Sequence, residues 1–120
     1  MNKTTVIFYK SEGIYYGFEE QGHTGYADAG EDILCAGISS MTMLIINALE
    51  LGYDTRVDYN IDEVTTNITL TVKSALPKYE KDEKKQFAAA GLIKAYFYQL
   101  MDLMEEYYEF LDIREVEREI

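Results

Sequence analysis

Residues 33–51 are apolar on almost every side of a helix, and a helix of that kind has to be covered by the rest of the chain. Asp32 is a plausible N-cap and Gly52 a plausible C′ stop, so we predict a central, buried helix from near Asp32 to Gly52. Hydrophobic residues make up 48% of the 120 residues, which is enough for one sizeable core. We therefore predict a single domain over residues 1–120.

Strand-like segments lie on both sides of this helix. Residues 4–10 and 14–19 are rich in β-branched and aromatic residues and flank a turn signal at 11–13, a pattern that predicts a hairpin. Residues 56–61 and 64–72 alternate between apolar and polar positions, which predicts two more strands joined by a short turn. Hairpins indicate a mainly antiparallel sheet.

A second long helix is predicted over residues 86–109, because apolar side chains recur there at helical spacing. We expect this stripe to be core or dimer surface. The tail, residues 110–120, permits a final strand or an extension of the helix, and the pattern leaves both open. The predicted fold is α+β, an α/β sandwich of two long helices on the sheet, in the order β-β-α-β-β-α with or without a last strand.

The segment of residues 22–39 carries the only histidine and the only cysteine of the chain, His23 and Cys35. A glycine-rich loop over residues 22–30, which we expect to be mobile, leads from one to the other. If Asp32 caps the helix, Cys35 falls in its first turn, where unpaired N–H groups and the helix dipole favour a thiolate and could hold an oxyanion. His23 could take the thiol proton and later return it to a leaving amine.

Two polar residues could support this pair. Asp32 could cap the helix, orient His23, or do both, and Ser39 lies one turn beyond Cys35, where it could hydrogen-bond into the site or to its own i−4 carbonyl. The alternative is that Cys35 is a small buried hydrophobe and His23 has no chemical role. One histidine and one cysteine fall short of the three or four ligands of a zinc site, so we expect no metal and no cofactor.

Aromatic residues are frequent in the predicted hairpin and in the loop after it. Tyr15, Tyr16, Phe18 and Tyr26 could line a groove for apolar substrate side chains, although core packing is the more common use of such residues.

The balance of charge restricts the partners. The chain has 22 acidic and 11 basic residues, a formal net charge of −11, which argues against nucleic-acid binding and favours a basic partner, although solubility alone also explains it. No window approaches eighteen consecutive apolar residues and the first residues lack a signal-peptide pattern, so we expect neither a transmembrane helix nor a membrane partner. A single cysteine cannot form an internal disulfide, which favours a cytoplasmic location.

The motif Gly22-His23-x-Gly25-Tyr26-Ala27, followed by Gly30-x-Asp32-Ile33-x-Cys35-Ala36-x-x-Ser39, resembles the signature of the ribosomal-processing cysteine protease family, Prp. The resemblance extends to the order of elements and covers most of the chain. It implies that His23 and Cys35 form a catalytic dyad, that Gly22 permits a tight turn before the base, and that Asp32 and Ser39 match supporting polar positions. Thr24 and Gly37 depart from the family pattern, in which alanine is usual at both places.

The same resemblance implies a substrate and an assembly. Family members remove a short N-terminal extension from a large-subunit ribosomal protein, the twenty-seventh of the L series, and are homodimers. The leading hypothesis is therefore a cytoplasmic cysteine endopeptidase acting on that precursor. An acidic, non-enzymatic binding or assembly factor for a basic ribosomal protein is the alternative, and a thiol-dependent acyl transferase is a third interpretation of the dyad.

Overall fold

The computed structural model describes residues 3–22 and 29–120, with the backbone alone for 29–32. Within these residues the chain forms strands β1 (Thr4–Ser11), β2 (Ile14–Gln21), β3 (Asp58–Ile61), β4 (Ile68–Thr71) and β5 (Leu111–Glu117), and helices α1 (Ala29–Asn47) and α2 (Glu83–Glu106). A π-helical turn, Ala48–Gly52, extends α1, and a short 3-10 turn, Lys73–Ala75, follows β4.

The strands form one mixed sheet in the order β3-β4-β2-β1-β5. β1 pairs with β2, β2 with β4 and β3 with β4 in antiparallel fashion, whereas β5 pairs with β1 in parallel. The predicted α+β class and the mainly antiparallel sheet are therefore confirmed. The undecided tail is a strand, because α2 carries the chain back along the sheet and leaves it beside β1.

The predicted β1–β2 hairpin is present, with a turn of two residues. Glu12 and Gly13 connect the strands with φ of +51° and +79°. Two successive positive φ values are typical of the type I′ turn, whose twist matches that of the strands it joins.

The strands predicted over 56–61 and 64–72 are shorter than expected. β4 begins only at Ile68, and Val64, which was predicted to share its apolar face, is 92% exposed. The Asp62 carboxylate accepts hydrogen bonds from the backbone N–H groups of Val64 and Thr65 at 2.8 and 3.0 Å. This local turn takes the N–H groups that a strand ladder would need.

The second helix is displaced towards the N-terminus relative to the predicted 86–109. It starts at Glu83 because Asp82 is its N-cap, with a carboxylate that accepts from the N–H groups of Lys84 and Lys85. Of the predicted stripe, Ile93, Phe97 and Leu100 are buried, whereas some outer members are exposed.

Both helices pack on one face of the sheet. By the strand period of two, Val6 and Phe8 on β1 and Phe18 on β2 point to this face, and all three are fully buried. A register shift in the β1–β2 pairing brings Tyr15 to the same face, where its ring stacks on Phe97 of α2. Helix side chains complete the core from above (Leu34, Ile38, Ile45, Ile46 and Leu49 from α1 and its π-turn; Ala89, Ile93, Tyr96, Phe97 and Leu100 from α2).

The prediction that α1 is buried all round is wrong. One side packs on the sheet, but Ile33, Leu44 and Leu51 are 64%, 63% and 84% exposed. By length and composition Ile33–Gly52 could cross a membrane, with a mean hydropathy of 1.6 and 33% of its most apolar window buried. A core helix produces the same pattern, and the inner side of α1 has the packing of one. Its outer apolar side is left uncovered by the described part of the chain.

Replacing Gly37 by alanine should stabilise the protein. A Cβ at this position of α1 meets nothing within 4 Å, and alanine favours a helix over glycine by up to about 1 kcal/mol. We expect the Gly37→Ala variant to melt roughly 4 °C higher in thermal unfolding followed by circular dichroism. Gly13→Ala is the matched control, since its Cβ also meets nothing but its φ is +79°, and it should melt lower. A lower melting temperature for Gly37→Ala would contradict the prediction.

Candidate active site around Cys35

Cys35 lies in the second turn of α1, not in the first. The helix begins at Ala29, so Asp32 is its fourth residue and not its N-cap. Cys35 is six residues from the start, about 9 Å along the helix axis. Backbone N–H groups at that depth are already paired with carbonyls one turn earlier, and the dipole effect is strongest in the first turn. The predicted first-turn stabilisation of the Cys35 thiolate and of an oxyanion by these N–H groups is therefore wrong.

The Cys35 side chain is half-buried and faces the start of β1. The Thr4 hydroxyl oxygen lies 3.9 Å from Cys35 Sγ, within hydrogen-bonding range for sulfur. Thr4 itself is fully buried, and its backbone N–H donates to the Phe110 carbonyl at 2.8 Å. The thiol is thus placed over the end of the sheet where β1 begins.

Gly22 brings the end of β2 to the same place. Its φ is +86°, and a Cβ there would lie 2.4 Å from the Lys3 carbonyl oxygen and 3.5 Å from Thr4 Cα. Only glycine permits this conformation together with so close an approach. The end of β2 therefore lies against the start of β1, next to Thr4.

The other predicted site residues are resolved to different extents. His23 and Tyr26, with the rest of residues 23–28, lie outside the described residues, so the His23–Cys35 pair and the behaviour of this loop remain predictions. Asp32 is described by its backbone alone. Ser39 lies one turn after Cys35 on α1 with an exposed side chain, as its spacing predicts.

A buried polar cluster under the helices was not anticipated from the sequence. Glu20 on β2 is fully buried, and its Oε1 accepts hydrogen bonds at 2.7 Å from the Thr42 hydroxyl of α1 and the Tyr96 hydroxyl of α2. Burial, followed by the neighbouring Glu20 carboxylate, raises the pKa of Tyr96, so its hydroxyl stays protonated and remains the donor. The cluster connects β2 to both helices, three residues before His23.

The strand period contained the signal for both unanticipated features. Thr4 continues the inward series of Val6 and Phe8, and Glu20 continues that of Phe18 on the neighbouring strand. A hydroxyl and a carboxylate on a face that is otherwise apolar have to find polar partners inside the protein.

The aromatic residues of the hairpin are core and do not line a groove. Tyr16 and Phe18 are fully buried, and Tyr15 is 9% exposed. Phe18 packs against the rings of Phe8 and Tyr96, with centroid distances of 5.6 and 5.0 Å.

Comparison with known protein families identifies the family of this chain. The profile of the family described as cysteine protease Prp matches residues 3–112. The chain belongs to the cysteine protease Prp family. Because the match spans almost the whole chain, the enzyme is a cysteine protease, as the motif in residues 22–39 predicted.

Solved structures share the fold over nearly their whole length. SMU.848 from Streptococcus mutans is 27% identical with a TM-score of 0.79, and the alignment covers 97% of this chain and 99% of that one. The structure of the essential ribosomal processing protease Prp from S. aureus with a substrate peptide is 23% identical, with a TM-score of 0.75. That alignment covers 94% of this chain and 99% of the S. aureus chain. The structure of the same S. aureus protease with a covalently linked product peptide is 24% identical, with a TM-score of 0.70 and the same coverage of both chains. Curated proteins gave no significant match.

Membership in the Prp family directs attention to the single thiol of the chain. A cysteine protease needs a cysteine nucleophile, and the chain has one cysteine, Cys35. The structure places Cys35 in α1 with its sulfur against Thr4 at the start of β1.

Removing one donor from the buried cluster should destabilise this Prp protein. Tyr96→Phe keeps the ring packing but leaves the buried Glu20 carboxylate with one hydrogen bond fewer, which should cost about 1–3 kcal/mol of unfolding free energy. Urea denaturation measures the loss. Tyr98→Phe is the matched control on the same helix, since Tyr98 is 58% exposed and should change stability little. Equal effects of the two substitutions would show that the buried hydrogen bond adds nothing.

Proposed function

We propose that the protein is an endopeptidase that removes the N-terminal extension of a large-subunit ribosomal protein, the twenty-seventh of the L series. Cys35 is the nucleophile and His23 the general base. The observation that carries this proposal is the Prp family match, which spans the only cysteine and the only histidine of the chain. A protease of this class needs both residue types, and no second candidate exists for either.

The chemistry follows from the two side chains. His23 removes the proton from the Cys35 thiol, and the thiolate attacks the scissile carbonyl carbon to form a tetrahedral intermediate. Collapse of the intermediate breaks the peptide bond while the imidazolium returns the proton to the leaving amine. Water, deprotonated by His23, then attacks the thioester and releases the second product and the free thiol.

The net charge of the chain supports a ribosomal protein as substrate. Ribosomal proteins are generally basic, and a protein of net charge −11 attracts a basic partner and accelerates the encounter. The S. aureus structures of this fold are those of a ribosomal processing protease with a substrate peptide and with a covalently linked product peptide. A covalent product is what a thiol nucleophile forms with a carbonyl carbon.

Cleavage of the precursor tests the proposal. The wild-type protein should shorten the precursor ribosomal protein by its N-terminal extension, seen by intact mass spectrometry. Cys35→Ala and His23→Ala should each lower the rate by at least roughly 10⁴-fold, because each removes a member of the dyad. Ser40→Ala is the matched control, since Ser40 is an exposed hydroxyl on the same helix and its loss should leave cleavage unchanged.

A different result would favour the binding-factor hypothesis. Tight binding of the precursor by both wild type and Cys35→Ala, with no cleavage by either, would contradict the protease assignment for this substrate. Cleavage by wild type and by Cys35→Ala alike would remove Cys35 as the nucleophile.

We also propose that the protein is a homodimer that covers the outer side of α1. The exposed side chains of Met43, Leu44 and Leu51 give this side an apolar surface that water contacts in the single chain. A second copy offers the same surface, which is what a two-fold interface requires. The homodimer implied by the family resemblance supplies a cover that the described residues of one chain do not.

Introducing a charge on this side should separate the dimer. Leu44→Glu places a carboxylate in the proposed interface, where burying it without a partner is costly. Sedimentation equilibrium should give twice the chain mass of 13.8 kDa for wild type and the chain mass for Leu44→Glu. Val64→Glu is the control, since Val64 is 92% exposed in the β3–β4 turn and its substitution should leave the dimer intact. Monomeric wild type at micromolar concentration would overturn the proposal.

A further inference from the structure

We propose that Thr4 is a positioning residue whose hydroxyl donates a hydrogen bond to the Cys35 thiolate and lowers the pH at which that thiolate forms. The inference rests on the proposed role of Cys35 as nucleophile. The observation that supports the role of Thr4 is independent of the family match. It is the 3.9 Å contact between Thr4 Oγ1 on β1 and Cys35 Sγ on α1.

The position of Thr4 is one that an apolar side chain would ordinarily occupy. Its side chain is fully buried and continues the inward series of Val6 and Phe8, both of them also fully buried. A buried hydroxyl needs a hydrogen-bond partner, and here the partner is the sulfur of Cys35. Valine has nearly the same shape as threonine and would fill the site without that need.

The location of Cys35 in α1 makes a side-chain donor important. Thiolates in the first turn of a helix are stabilised by unpaired N–H groups and by the positive end of the dipole. Cys35 lies beyond that turn, because α1 begins at Ala29. A neutral hydroxyl donor favours the ionised sulfur without adding charge to the site.

The geometry of Thr4 is set by the backbone around it. Its N–H donates to the Phe110 carbonyl just before β5, and its Cα faces Gly22 at the end of β2. Pairing of β1 on both sides therefore fixes the hydroxyl against the sulfur. The hydroxyl can accept from the neutral thiol and donate to the thiolate by rotation alone, so it serves both protonation states.

The pH dependence of thiol alkylation tests this role directly. Cys35 is the only thiol of the chain, so the rate of reaction with iodoacetamide reports its ionisation. Thr4→Val should raise the midpoint of the rate profile by about one pH unit, which is the size expected for loss of a hydrogen bond to a charged group. Thr4→Ser keeps the hydroxyl and should return the midpoint to the wild-type value.

Two further variants separate ionisation from packing. Thr5→Val makes the same chemical change on the next residue of β1, which points to the opposite face, and should leave the midpoint unchanged. Circular dichroism shows whether Thr4→Val folds. If it does not, Thr4→Ala, which also lacks the hydroxyl but has a smaller side chain, should show the same rise of the alkylation midpoint. An unchanged midpoint in a folded variant without the Thr4 hydroxyl, or an equal rise in Thr4→Ser, would overturn the inference.

The other ionisable groups at this end of the protein are the same in all these variants. Among the described side chains they are Lys3 just before β1, Glu20 on β2, and Tyr96 on α2, whose hydroxyl donates to Glu20. A shift that follows the Thr4 hydroxyl alone cannot come from them.

Cleavage assays link the shift to catalysis. The acid limb of kcat/KM against pH should move with the alkylation midpoint in Thr4→Val, and activity should approach that of wild type above the raised midpoint. Cys35→Ala decides the proposed function separately. If that variant still cleaves the precursor, the protease assignment of Cys35 fails, whereas the alkylation midpoint still reports whether Thr4 controls the thiol.

Discussion

The pairing of β1 on both of its edges is the constraint on which the rest of the structure depends. β2 lies antiparallel on one side and β5 parallel on the other, so the inward side chains of β1 are held under the helices. Val6 and Phe8 supply apolar cover, and Thr4 ends the same series against Cys35. The Cys35 thiol therefore lies against a strand that is paired on both edges, which gives the sulfur a fixed position.

Polar groups appear inside this protein where the helices meet the sheet near the site. Glu20 joins β2 to Thr42 and Tyr96, and Thr4 joins β1 to Cys35. Apolar packing alone tolerates small displacements of a helix on a sheet, whereas a buried hydrogen bond is lost by them. These contacts fix where α1 lies, and with it Cys35, the proposed nucleophile of this Prp cysteine protease.

Packing on one face of a sheet leaves α1 with two different apolar sides. The inner side is satisfied by the core, and the outer side, with Leu44 and Leu51, faces water. A segment that is apolar all round gives no indication of which side a single chain covers. The homodimer that we propose covers the second side, and the same surface explains why this helix resembles a membrane-spanning one in composition.

The amino-acid sequence by itself determined the β1–β2 hairpin, the α+β class and the existence of both long helices, and it left one candidate of each type for the proposed catalytic pair. These depend on local periodicity, on turn residues such as Gly13, and on the fact that His23 and Cys35 have no rivals in the chain. Tertiary structure alone decided the parallel pairing of β5, the early start of α1 that takes Cys35 out of the first turn, and the contact of its sulfur with Thr4. Each of these joins residues far apart in the chain or depends on how a helix end meets the sheet, and short-range pattern carries no information about either.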